Sequence, residues 1–247
     1  MNDFEVIKGK VGLSWRVAGT IGAQIVNGEY TPGHVLPNES QIATDFSVSR
    51  SAVRVALKIL ASKGLVDARP RRGTVVCDRN NWSFLDADLL SWINDTGPDE
   101  AFLVDLVDMR LAVETEASAL AAERRVPEEI ARIRQAFESM VAAADGLHDP
   151  IAADLSFHKA IVAASGNRFM MPLVAIVSSA LRFSFRFTNS VVGEPVGDLE
   201  LHERILLAIE AGDPTAARQA VRNLLQSVRD AVSKSSDTKA KSAKAIQ

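Results

Sequence analysis

The sequence predicts a mainly α protein, with an amino-terminal winged helix-turn-helix carrying a small β wing and a carboxy-terminal all-α antiparallel helical bundle. Three observations predict it. Apolar residues recur at helical spacing on both sides of a short turn, Ser47-Val48-Ser49. Two short β-favouring runs then flank the arginine-rich turn Arg69-Pro70-Arg71-Arg72-Gly73. From Asp99 onward the apolar pattern is almost wholly helical.

In the first helix of the pair, Ile42, Ala43 and Phe46 share a face; in the second, Val53, Ala56, Leu57 and Leu60 do. Pro37 is expected in the first turn of the leading helix, with Glu39 near its positive end. Ser49 is a candidate cap for the second helix. Ser49, Arg50, Ser51 and Arg54 then lie near its amino end, the end that a helix-turn-helix pushes into the major groove. Arg50 and Arg54 are four apart and share a face. Gly64 is a plausible helix stop, Leu65-Val66 starts a strand, and Thr74-Val75-Val76 returns from the turn. A wing with three arginines suits phosphates or a narrow minor groove. Taken singly, each arginine is more often an ordinary solvated charge. The order helix, turn, helix, hairpin makes DNA the expected partner.

Length and composition fit this division. A chain of 247 residues, 47% apolar, can hold two ordinary domains with real cores. The net charge of −3 splits by sign: residues 1–80 hold 11 Lys+Arg against 7 Asp+Glu, and 81–247 hold 17 against 24. Within 50–79 the tally is 8 against 2, so positive charge concentrates in the second helix and the wing. An acidic second half is expected to bind something other than DNA. Cys77 stands alone, which excludes an internal disulfide, and no signal-like segment opens the sequence, so a cytoplasmic protein is expected. No apolar run reaches the ~18 to 20 residues that span a bilayer. The expected boundaries are 1–78 for the DNA-binding domain, 79–98 for a linker, 99–233 for the helical domain and 234–247 for a flexible tail. The linker crowds Trp82, Phe84, Leu85, Leu89, Leu90, Trp92 and Ile93 together and is expected to dock on the domain that follows.

Helices are expected at about 99–124, 127–146, 149–165, 168–188, 198–211 and 213–233. Pro127 with Glu128-Glu129, Asp149-Pro150 and Gly212-Asp213-Pro214 supply helix starts. Bundle cores are where such domains hold ligands. Asp154 and His158, four apart, project to one side of a helix and can converge on one ion, with His202 completing an N/N/O set. On spacing alone, such an Asp/His pair is more often a surface pair than a metal site, and a lone His202 more often a partly buried core residue.

The residues also match a family. The run G-x-Y-x-P-G-x-x-L-P at Gly28 to Pro37 opens the match, followed by Glu39-Ser40, Ala43, Phe46, Val48-Ser49-Arg50, Val53-Arg54, Ala56-Leu57, Gly64-Leu65-Val66 and Gly73-Thr74-Val75. Together they closely resemble the DNA-binding domain of GntR-type transcription factors. The resemblance implies a homodimer reading a short pseudo-palindrome of double-stranded DNA. Glu39, Ser40, Ser49, Arg50, Ser51, Arg54, Arg71, Arg72, Gly73 and Thr74 would then meet the operator. In the second half, Asp154-Leu155-Ser156-Phe157-His158, Ala164-Ser165-Gly166-Asn167 and His202-Glu203-Arg204-Ile205 resemble the all-helical ligand-binding (FCD) domain of the FadR-like branch. There an aspartate and three histidines hold a divalent metal. Asp154, His158 and His202 match, whereas Leu224 stands where the last histidine usually lies. That implies either a partly open metal site, the reading preferred, or a site of reduced affinity whose pocket works without metal; Zn²⁺ is the first expectation, and Ni²⁺ or Mn²⁺ are compatible with the ligand types. Arg110 matches an arginine that such domains point into the pocket, where it would clamp a carboxylate; a salt bridge to Glu114 is the equal alternative. Arg182, preferred over Arg186, and Asn167 complete the expected effector contacts. The segment Arg79 to Trp92 resembles that of galactonate-operon repressors, which implies a sugar-acid effector such as galactonate.

The function expected is therefore a metabolite-responsive transcriptional repressor and not an enzyme. Two alternatives are a metal-dependent enzyme fused to a DNA-binding module, and an effector-free architectural DNA binder. Against the first stands the lack of an evident general base in a recognisable motif, of a glycine-rich phosphate loop and of a nucleophile–histidine arrangement.

Overall fold

A computed structural model describes residues 12–69, 71–96, 100–191 and 198–244, with side chains described except at 96, 100, 184–191 and 232–244. The chain forms two compact units, divided between Gly97 and Pro98.

The amino-terminal unit comprises α1 (Leu13–Val26), α2 (Glu39–Asp45), α3 (Arg50–Ser62), the strands β1 (Val66–Arg69) and β2 (Gly73–Val76), and α4 (Ala87–Thr96). Its core joins Val17, Ala18, Ile21 and Ile25 of α1 to Ile42, Val53, Ala56 and Leu60, and to Leu65, Val66, Val75 and Val76. The strands pair antiparallel from Val66↔Val76 to Arg69↔Gly73, and Val35 bridges Val75 along the open edge of β2. The expected winged helix-turn-helix is therefore present. Its helix starts differ in one detail: Pro37 precedes the cap, and α2 begins at Glu39 with the Asn38 side chain accepting from the Gln41 N–H at 3.0 Å. Ser49 caps α3 as expected, its Oγ accepting from the Ala52 N–H at 3.2 Å.

Gly64 ends this helix pair in a conformation that no other residue adopts cheaply. Its φ is +73°, and a Cβ there would stand 1.9 Å from the backbone oxygen of Asn81. A Gly64→Ala substitution combines left-handed strain with overpacking against backbone, so a loss of about 2–4 kcal/mol is expected in urea unfolding of the intact chain. A loss below about 1 kcal/mol would show that the 79–82 turn yields freely.

The apolar segment after the wing, expected to dock on the following domain, packs instead on α1 of its own unit. Trp92 lies over Gly19 and Gly22, and a Cβ on Gly22 would meet the indole at 2.4 Å. Close approach of the ring to the α1 backbone is what draws the segment there. Lys63, buried at the end of α3, donates to Asp86 at 2.6 Å and to Asp88 at 2.7 Å. Its ammonium also lies 5.4 Å from the Trp15 ring and 5.5 Å from the Trp92 ring. Partial burial would raise the Asp86 pKa, but hydrogen bonds from Lys63 and the backbone hold it below the usual carboxylate range.

The second unit is a helical bundle: α5 (Glu100–Arg124), α6 (Pro127–Ala144), α7 (Pro150–Ala164), α8 (Val174–Val191), α9 (Leu199–Ala211) and α10 (Pro214–Lys244). Prolines open α6, α7 and α10, with Asp149 and Asp213 capping the last two through their carboxylates. The helix expected at 168–188 starts at Val174, after a tight turn at Met171–Leu173. Pro172 sits in the first turn of that short 3-10 segment, where its missing N–H costs no helical hydrogen bond. At the other end α10 runs on through Lys244, into the stretch expected to be a tail. Helix α5 touches α7, α8, α9 and α10, so polar groups on its buried face lie at the centre of the unit.

Candidate metal centre and nucleic-acid interface

Arg110 and Glu114 on α5, Asp154 and His158 on α7, and His202 on α9 form one buried polar cluster, each 3% exposed or less. The spacing of four on α5 and on α7 stacks each pair on the inward face of its helix. Asp154 Oδ1 lies 3.1 Å from His202 Nε2 and 3.7 Å from His158 Nε2, and the two Nε2 atoms are 3.4 Å apart.

The partners of the opposite ring nitrogens fix what those Nε2 atoms offer. His202 Nδ1 lies 2.8 Å from the backbone oxygen of Asp198, a pure acceptor, so Nδ1 carries a proton. His158 Nδ1 lies 2.5 Å from the Glu114 carboxylate, which assigns it a proton by the same logic. In the neutral rings both Nε2 atoms then carry lone pairs, and the two lone pairs and a carboxylate oxygen converge. Arg110 Nη2, 3.3 Å from His158 Nε2, meets one of these lone pairs, and a cation at their centre would meet all three ligand atoms at once. A tetrahedral ion with bonds of about 2.0–2.1 Å places its ligand atoms roughly 3.3 Å apart, which is close to the spacing seen. The residues therefore fit a divalent metal, and the buried carboxylate behind His158 supplies the usual orienting partner. Phe157, fully buried, holds both rings edge-on, with centroids 5.8 Å from His158 and 5.4 Å from His202.

Both carboxylates are ionised at neutral pH. Burial alone would raise Glu114, but the Arg110 guanidinium and His158 outweigh it and bring its pKa to about 2. For Asp154 burial is likewise outweighed, by the His202 hydrogen bond and by His158, His202 and Arg110, so its pKa lies below the usual value. The cluster sets two carboxylates against one guanidinium, a balance that favours a further cation.

Arg110 realises its structural alternative and more. Its Nε donates to Glu114 at 2.6 Å, and its Nη2 lies 3.3 Å from His158 Nε2. Leu224 is buried among the core residues of the same unit. Arg182 is half-buried on α8 between buried Leu181 and Phe183; the Arg186 side chain lies outside the described residues. Asn167 lies in the turn beyond α7, where its Oδ1 accepts from the Phe169 N–H at 3.0 Å. Glu114 and Asp198 are the members that ligand spacing misses. The only signal for Glu114 is its position four residues after Arg110.

In the other unit, Arg50, Ser51 and Arg54 are exposed along the amino-terminal half of α3, and Arg71 and Arg72 are exposed at the wing turn. Arg71 takes a φ of +62° there. Arg54 Nε donates to Glu39 Oε2 at 2.7 Å, which links α3 to the start of α2. Ser49 spends its oxygen on the cap and on Ser51 Oγ at 2.8 Å, and Ser40 and Thr74 are half-buried beside this surface. Val55, 49% exposed on the same helix, is not singled out by sequence reasoning. Its helical spacing from Ser51 is visible, but an apolar residue there reads as core.

Residues 13–76 match the bacterial regulatory proteins of the gntR family, and residues 105–227 match the FCD domain. The chain belongs to the GntR family. It is 34% identical over 217 residues to the HTH-type transcriptional regulator YieP of Escherichia coli (strain K12), covering 87% of this chain and 93% of that one. It is 31% identical over 215 residues to the galactonate operon transcriptional repressor of the same organism, covering 86% and 93%. Among solved structures, Lar, described as controlling expression of the Listeria monocytogenes agr system, shares the fold with a TM-score of 0.58 at 19% identity, over 90% of this chain and 97% of that one. This GntR-family protein is thus a transcriptional regulator and not an enzyme, with an FCD effector-binding domain. FCD domains bind metal, and Asp154, His158 and His202 form the site among the described residues that can do so. GntR regulators bind operator DNA and small-molecule effectors. No helix among the described residues is long and apolar enough to cross a membrane.

Proposed function

We propose that this GntR-family protein is a homodimeric, cytoplasmic repressor whose grip on its operator is released by a small carboxylate or sugar acid. The observation that carries the effector reading is the buried cluster of Arg110, Glu114, Asp154, His158 and His202, a set of charges that a stability-driven core would not assemble. Asp154, His158 and His202 would hold Zn²⁺, or Ni²⁺ or Mn²⁺, through one oxygen and two nitrogens. A divalent ion bound there supplies a Lewis-acidic anchor for effector oxygens. Arg110 and the half-buried Arg182 offer guanidinium donors to the acid's anionic group, and Asn167 retains its amide N–H₂ for a hydroxyl. The galactonate operon repressor among the relatives supports a sugar acid.

On the other unit, the amino end of α3 would enter the major groove. Arg50 and Arg54 would read bases there, Ser51 would reach base edge or phosphate, and Ser49 would hold the helix end. The wing arginines Arg71 and Arg72, with Gly73 and Thr74, would follow the backbone or minor groove, and Ser40 and Glu39 would sit at the rim. Two α3 helices related by a dimer two-fold fix the half-site spacing.

The test is linkage. Genomic fragments selected by the protein itself are titrated with and without a panel of hexonates and short hydroxy acids. One acid is expected to lower operator affinity, and operator is expected to lower affinity for that acid by the same factor. Equal acid affinity with and without operator refutes the release mechanism, and no fragment preferred over bulk competitor at moderate salt refutes the DNA reading.

A further inference from the structure

The Arg110 guanidinium stands where it competes with a metal. Its Nη2 is 3.3 Å from His158 Nε2, the same lone pair that a bound ion would take, while its Nε is tied to Glu114 at 2.6 Å. Glu114 in turn holds His158 Nδ1 at 2.5 Å, so one carboxylate serves both the arginine and the histidine. We propose that Arg110 is an internal counter-cation that restrains metal binding at Asp154, His158 and His202, and that Glu114 promotes it by orienting His158. This rests on reading the three residues as a divalent-metal site.

The two residues then act with opposite signs. An ion entering the cluster must displace Arg110 from His158 and meets the repulsion of its charge at close range. Once displaced, the guanidinium keeps its bond to Glu114 and turns its other donors toward any anion that accompanies the ion. Metal occupancy and anion binding are thereby coupled through one side chain. Glu114 favours the ion twice, by fixing the His158 tautomer with Nε2 unprotonated and by contributing negative charge to a site that excludes water. Both are positioning residues: neither is a metal ligand in this arrangement.

The test is competition between the purified full-length protein and a chromophoric chelator for Zn²⁺, with Co²⁺ absorption reporting the coordination environment. Arg110→Met keeps most of the side-chain volume and removes the charge; its Zn²⁺ affinity is expected to rise at least ~10-fold. Glu114→Gln is expected to lower it by about 10–100-fold and to shift the Co²⁺ bands. Arg110→Lys, which keeps the charge, should fall between wild type and Arg110→Met. A merely structural role would make both neutral variants bind more weakly, in step with their loss of helical content and thermal stability. Wild type that binds Zn²⁺ with Arg110→Met no tighter overturns this inference and leaves the metal reading standing. No ion bound by wild type or by Arg110→Met overturns both.

Discussion

Replacing His158 with alanine is expected to abolish metal binding and effector response while leaving operator binding intact. His158 would be one of three protein ligands, and among the described residues no further histidine joins Asp154, His158 and His202, Leu224 standing where the family resemblance puts a fourth. Losing one of three leaves an oxygen and a nitrogen, too few for a site that must outcompete cellular chelators. The substitution also strips Glu114 of a hydrogen bond in full burial, which costs about 1–3 kcal/mol of stability in the helical unit. The α2 and α3 surface belongs to the other compact unit, so operator binding is expected to persist in the variant. Equilibrium dialysis with Zn²⁺ reads the first effect, and operator binding with and without the effector acid reads the second. Full metal stoichiometry and an undiminished response in His158→Ala would remove the trio from the sensing machinery.

Local rules make much of this legible in the sequence. The Ser47-Val48-Ser49 turn, the Ser49 cap and the Gly64 stop are each set by neighbours a few residues away, and the structure places them as expected. The Asp154/His158 pairing follows from helical geometry alone. What is not legible depends on distant partners. Helix α1 goes unmarked because Gly19, Thr20 and Gly22 dilute its apolar face, yet Gly22 is needed there so that Trp92 can approach. The same partner explains why the aromatic segment settles on α1. Buried Lys63 reads as a solvated charge until Asp86 and Asp88, more than twenty residues on, close around it. The hold of Glu114 on His158 and of the Asp198 carbonyl on His202 is the clearest case. Helical spacing finds the atoms that face an ion, but the groups that hold those atoms in place lie on other helices or on the backbone.

Arg50→Ala and Arg54→Ala are expected to weaken operator binding by about 1–3 kcal/mol for each base no longer read and to relax sequence preference at the corresponding positions. The two arginines are not equivalent. Arg50 forms no ion pair among the described residues, whereas Arg54 is held by Glu39 across the two helices of the motif. That pair is 67% and 37% exposed, so it contributes little to stability, and Glu39→Gln should change the unfolding free energy by less than about 0.5 kcal/mol. Its effect belongs in recognition. In the proposed complex Glu39 would limit the orientations of the Arg54 guanidinium before DNA arrives, and it would bring a negative charge near the phosphates. Glu39→Gln should therefore strengthen binding to bulk DNA while narrowing the ratio between operator and bulk, and a double-mutant cycle should show coupling between positions 39 and 54. If Arg54→Ala costs the same in the Glu39→Gln background as in the wild type, the ion pair has no part in readout. If Arg54→Ala instead weakens every fragment equally and lowers the salt slope by about one, the residue meets phosphate rather than a base.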